Sequence, residues 1–84
     1  MEKILKVKAL DGYHLYLEFE DGVQGEIDLS ARLFGPMFEP LRDPEFFSQA
    51  KVDDFGAVCW PNGADLAPDA LYRKLLQRQQ LSSG

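Results

Sequence analysis

One side chain of this sequence switches charge near neutral pH without special help, and one carries a thiol: His14 and Cys59. Together they could make a nucleophilic pair in which the imidazole takes the thiol proton, if a sheet brought them face to face. Nothing local in the sequence does so. His14 falls on the outward side of an alternating stretch beside Tyr16 and reads as a surface histidine. Cys59, between Val58 and Trp60, reads as an inert packing residue. Carboxylates offer a second chemistry. Asp53, Asp54, Asp65 and Asp69 flank one region, and a hard cation would need several of their oxygens to converge. Their spacing matches no calcium loop, no glycine-rich phosphate loop is present, and no Ser/His/Asp set can be assembled. The expectation is a chain that is not an enzyme, with no catalytic residues, no metal and no cofactor.

The most unusual stretch is Trp60-Pro61-Asn62-Gly63-Ala64-Asp65-Leu66. Asn62-Gly63 supplies two residues that tolerate left-handed backbone, and a proline after tryptophan raises the chance of a cis bond. On a structural reading Trp60 plugs the core, Pro61 and the turn redirect the chain, and Asp65 caps the following helix. On a functional reading the loop and the start of that helix form a binding surface.

These residues need elements to hold them. Ile4–Leu10 alternates as a strand does. Across Tyr13–Glu20, Tyr13, Leu15, Leu17 and Phe19 point one way and the polar residues the other. Val23–Leu29 makes a third strand, with Val23, Gly25, Ile27 and Leu29 inward. Asp11-Gly12 and Asp21-Gly22 separate the runs, and the second predicts a type I′ hairpin. Ser30 can cap a short helix over 31–34, and Met37–Leu41 allows one further helical turn. Asp43-Pro44-Glu45 starts a helix: a capping carboxylate, a proline where no N–H is needed, an acid at the positive dipole end. Lys51–Asp54 and Ala57–Trp60 predict a second hairpin. The last helix begins at Asp65 or Ala67, with Leu71, Tyr72, Leu75 and Leu76 as its apolar stripe. The fold class is α+β: a three-stranded antiparallel meander plus a second hairpin, with helices packed on one face. Residues 1–80 form the single domain and 81–84 a fraying tail.

A chain of 84 residues holds one such domain, with a stability of roughly 4–12 kcal/mol by the usual per-residue figure. A lone cysteine, the absence of a signal-like start and the absence of any bilayer-length apolar run point to the cytoplasm and away from membranes. Residues 1–69 carry six Lys/Arg and fourteen Asp/Glu, while 70–84 carry Arg73, Lys74 and Arg78 and no acid. An acidic body opposes non-specific nucleic-acid binding, and suits either a basic partner or plain solubility.

Leu41-Arg42-Asp43-Pro44-Glu45-Phe46-Phe47, then Val52-Asp53, then the run from Trp60 through Ala67-Pro68-Asp69-Ala70-Leu71-Tyr72, together with Phe19-Glu20-Asp21-Gly22, resembles the bacterial domain-of-unknown-function family 2442. The similarity extends from about Ile4 to Tyr72. It implies a small α+β fold and no activity. Some members are fused to a helix-turn-helix DNA-binding domain, for which these elements leave no room, and many resemble one member of a toxin–antitoxin-like pair.

Three functions compete. The first is a protein-interaction or regulatory module, antitoxin-like, with a protein partner or a second copy of itself. Its contact surface would be the second hairpin and the Asn62–Asp65 turn: Asp53, Asp54, Asn62, Gly63, Asp65 and Asp69. Lys3, Lys6 and Lys8 guard the first strand, whereas Ala57–Trp60 would be a poorly guarded edge. The second is a nucleic-acid-binding accessory domain using Arg73, Lys74 and Arg78, opposed by the overall charge. A small enzyme comes third.

Overall fold

The computed structural model describes residues 3–83, with side chains as far as Gln77. Hydrophobic alternation organises the first half. Strands β1 (Ile4–Leu10), β2 (His14–Phe19) and β3 (Gln24–Asp28) form an antiparallel sheet in that order. Leu15, Leu17 and Phe19 are buried, and the residues between them are only partly covered, as one packed face requires. The β1 register shifts between Ile4 and Lys6. The extra residue, Leu5, is left 65% exposed, which is the outcome of a bulge.

Both turns differ in detail from the sequence reading. At Asp21-Gly22 only Gly22 has positive φ, 93°. The Gly22 N–H donates to the Phe19 carbonyl at 3.0 Å, and the Phe19 N–H to the Val23 carbonyl at 2.8 Å. This is a three-residue loop closed by a left-handed glycine, not a type I′ pair. At the first turn Gly12 and Tyr13 both have positive φ, 75° and 62°, so the strand begins at His14. Ser30 does not cap a helix. It lies inside a 3-10 turn, Ser30–Arg32, and its N–H donates to Asp28 Oδ1 at 2.8 Å.

A second 3-10 turn, Glu39–Arg42, leads into α1 (Pro44–Phe47). Asp43 caps α1 as its position demands, accepting the Glu45 N–H at 3.1 Å. The second sheet is larger than a hairpin. Strands β4 (Lys51–Val52), β5 (Val58–Cys59) and β6 (Asp65–Leu66) pair antiparallel in that order. Asp65 is therefore a strand residue opposite Cys59 rather than a helix cap, and the segment expected at an edge contains the central strand. Helix α2 (Pro68–Ser83) starts after it, with the Ala67 carbonyl accepting the Leu71 N–H at 3.2 Å.

The two sheets meet at the start of β1. The Ile4 N–H donates to the Gly56 carbonyl at 3.1 Å, while the Glu20 N–H, donating to the Lys3 carbonyl at 2.9 Å, extends the β1–β2 pairing to the same point. One core serves both sheets. Leu71 and Leu75 of α2 join it, Tyr72 meets Phe19 edge-on at 5.0 Å, and Phe47 of α1 lies between Tyr13 (5.5 Å) and Trp60 (5.9 Å). No helix among the described residues is long and apolar enough to cross a membrane.

Candidate functional site

Residues Trp60–Leu66 form a supporting corner. Trp60 is 2% exposed, and its indole N–H donates to the Phe47 carbonyl at 3.0 Å. The peptide bond before Pro61 is trans. Asn62 works in two directions. Its Oδ1 accepts the Ala64 N–H at 3.1 Å, closing its own turn, and its Nδ2 donates to the Met37 carbonyl at 2.9 Å. Gly63 has φ of 91°, and a Cβ there would lie 3.4 Å from the Met37 Cε. The corner thus braces the segment that carries Met37.

The acids do not form a cation site. No group of three or more His, Cys, Asp or Glu among the described residues could hold a metal ion. Asp53 Oδ1 accepts the N–H groups of Phe55 (2.8 Å) and Ala57 (3.0 Å), so this carboxylate shapes its own loop. Asp54, Asp65 and Asp69 are exposed on the β4–β5 loop, β6 and the first turn of α2. His14 lies on the outer sheet face, 3.7 Å from Glu26 and 3.8 Å from Asp28. Cys59 is partly covered and unbonded to another cysteine. Arg73 is exposed and Lys74 half-buried; the side chain of Arg78 lies outside the described residues.

Two phenols make charge-assisted bonds. Tyr72 donates to Asp21, and this bond, helped by the Val23 N–H, holds the Asp21 carboxyl below its usual range. Tyr16 donates to Glu18 at 2.8 Å, and the bond raises the Tyr16 hydroxyl above its ordinary value.

One apolar concavity is a feature that sequence reasoning missed. A cavity of about 180 Å³ opens where the 29–41 segment crosses the second sheet, with Leu33, Phe38 and Leu41 on one side and Trp60 and Leu66 on the other. Arg32 is the one charged residue lining it. Phe34, on its rim, is 67% exposed, and Met37 nearby is 44% exposed. The rim is held firmly: Arg42 Nε donates to the Leu33 carbonyl at 2.7 Å, and the Tyr13 hydroxyl donates to the Arg42 carbonyl. The available signal was Phe34, a large apolar residue stranded before Gly35-Pro36 with no periodic partner.

Fold and surface together define a small two-sheet α+β domain with a preformed apolar groove. The model of the family described as Protein of unknown function (DUF2442) matches residues 4–76, and the chain belongs to that family. Among solved structures it is similar to a protein of Nitrosomonas europaea ATCC 19718, provisionally described as DNA-binding, with TM-score 0.83 and 26% identity. The similarity covers 95% of this chain and 52% of that one, so the chain spans about half the length of this relative. Comparison with the curated proteins gives no match.

Proposed function

We propose that this domain is a non-enzymatic protein-interaction module and that the groove between the 29–41 segment and the second sheet is its contact surface. One observation carries the reading: Phe34 is held exposed on the rim of an apolar cavity, in a segment braced at Leu33 by Arg42 and at the exposed Met37 by Asn62. Exposed apolar groups clustered around a concavity mark interaction sites, because water gains when a partner covers them. Bracing lowers the ordering cost of binding. A regulatory or antitoxin-like role is one use of such a module. The acids of the second sheet, Asp53 and Asp54 on the β4–β5 loop and Asp65 on β6, then flank the contact instead of forming it.

A second reading, DNA contact through Arg73, Lys74 and Arg78, draws on the provisional description of the Nitrosomonas relative. The formal net charge of −5 weighs against it. One experiment separates the two. A photo-crosslinking phenylalanine analogue is placed at Met37 in one variant and at Arg73 in another, and both are irradiated in cells. The interaction reading expects a protein adduct at Met37 and none at Arg73. Nucleic-acid adducts at Arg73 with a silent Met37 would reverse the order of the readings.

A further inference from the structure

We infer that the groove receives a short segment of another protein in which one bulky apolar side chain stands next to a carboxylate, the side chain filling the cavity and the carboxylate meeting Arg32. The inference rests on the interaction reading above and adds the chemistry of the partner. Size sets the first half. The cavity holds about 180 Å³, close to the roughly 150 Å³ that accommodates a benzene ring and well short of the roughly 300–1,000 Å³ of pockets for cofactors and drug-sized ligands. One aromatic or branched aliphatic side chain fits it, and a cofactor does not. Phe34, two-thirds exposed on the rim, gives that side chain further apolar surface to cover.

Charge sets the second half. The chain has a formal net charge of −5, yet Arg32 is the one charged residue lining the cavity. Arg42 adds a second guanidinium at the same wall, its Nε 2.7 Å from the Leu33 carbonyl. Among the described residues neither guanidinium makes an ion pair, and the Arg32 side chain makes no hydrogen bond. The nearby acids are turned elsewhere. Asp28 faces the Ser30 N–H and His14, and Asp43 the Glu45 N–H. Asp65 precedes the cavity residue Leu66 in β6 and so projects to the opposite face. Glu39 lies with Pro36 and Pro40 on a separate concavity. A guanidinium beside apolar surface gains most from a carboxylate, which it can hold through two parallel hydrogen bonds. The acidic chain as a whole repels a long acidic run, so the partner supplies its carboxylate at the anchor alone.

Selection from a display library of random linear peptides tests the inference. Enriched peptides should share an aromatic residue, leucine or isoleucine with Asp or Glu beside it. Titrated as free peptides, they should move the indole N–H resonance of Trp60 in isotope-labelled protein, since Trp60 is the chain's one tryptophan and a wall of the cavity. Arg32→Glu should weaken them at least about tenfold, as the loss of a charge-assisted hydrogen bond predicts. Selection on that variant should enrich Lys or Arg in place of the acid. Arg32→Gln should weaken them less and enrich neither sign. Arg32 is exposed, so both variants should melt like wild type, and matching thermal midpoints check this. Peptides that move the Trp60 resonance but carry no acid, or that ignore Arg32→Glu, would overturn the inference and leave the interaction reading standing. A selection that yields no peptide acting on Trp60 would remove both. A Trp60 resonance that shifts with protein concentration alone would give the groove to a second copy and overturn the inference as well.

Discussion

Replacing Trp60 by alanine and by phenylalanine separates what its bulk and its hydrogen bond contribute. The indole is 2% exposed and packs on Phe47 at 5.9 Å between centroids. Trp60→Ala empties a buried aromatic site between the two sheets and α1, which costs about 3–5 kcal/mol. Against a total of roughly 4–12 kcal/mol that leaves the variant barely folded. Trp60→Phe keeps most of the packing and removes the bond to the Phe47 carbonyl. That carbonyl also accepts the Ala50 N–H at 3.2 Å, so it retains a partner. The loss of the bond should accordingly fall near the net value of one hydrogen bond, about 1 kcal/mol, with a similar amount for the smaller ring. Urea unfolding followed by far-ultraviolet circular dichroism measures both variants without relying on the lost fluorophore. A Trp60→Ala loss under about 1 kcal/mol would refute the reasoning, since no buried aromatic is removed so cheaply. So would wild-type emission that is red-shifted and freely quenched by iodide.

Other consequences follow from single contacts. A Cβ at Gly56, whose φ is 78°, would lie 2.7 Å from the Lys3 Cβ and 3.1 Å from its Cα, so Gly56→Ala should destabilise by more than about 1 kcal/mol in urea melts; an unchanged midpoint would show that the seam between the sheets is loose. Asn62→Ala removes two hydrogen bonds and should cost about 1–3 kcal/mol, while Asn62→Asp, which keeps only the Ala64 bond, should retain part of that; equal losses would mean that the Met37 link carries nothing. The Asp21 carboxyl is lowered in the folded state, so its contribution to stability is complete above its unfolded pKa and is lost as pH falls through the folded value. Tyr72→Phe should therefore narrow its stability gap to wild type below about pH 4, and a gap that widens there has the wrong sign.

The meander was legible because every buried residue of β2 sits at period two, and the α1 start because Asp43-Pro44-Glu45 satisfies cap, first-turn and dipole demands at once. Strand β6 was not. Two residues, Asp65-Leu66, cannot display alternation, and an aspartate shortly before Ala67-Pro68 carries the same signal as a helix cap. Its pairing with β5 is decided by the Trp60 corner, where the Trp60 N–H donates to the Ala64 carbonyl at 2.9 Å and turns the chain back. Tyr13 was read as the first strand residue because it continues the alternation of Leu15, Leu17 and Phe19, and it does pack against the core; with Gly12 it takes positive φ in the turn that joins β1 to β2. The groove depends on segments 29–41 and 60–66 meeting, and a linear reading contains no distance between them.

Tyr13 has one further consequence. Its carbonyl accepts the Leu29 N–H at 2.9 Å, its hydroxyl reaches the Arg42 carbonyl, and Arg42 in turn holds the Leu33 carbonyl. These three bonds fasten both ends of a segment that has little regular secondary structure to the first hairpin. Loops of that kind normally exchange their amide protons by small independent openings. Here the amides of Leu29 and of the residues leading to Asp43 should instead exchange together with those of β2, as one cooperative unit. Tyr13→Phe should uncouple the two sets, speeding exchange in the loop while leaving the strand slow.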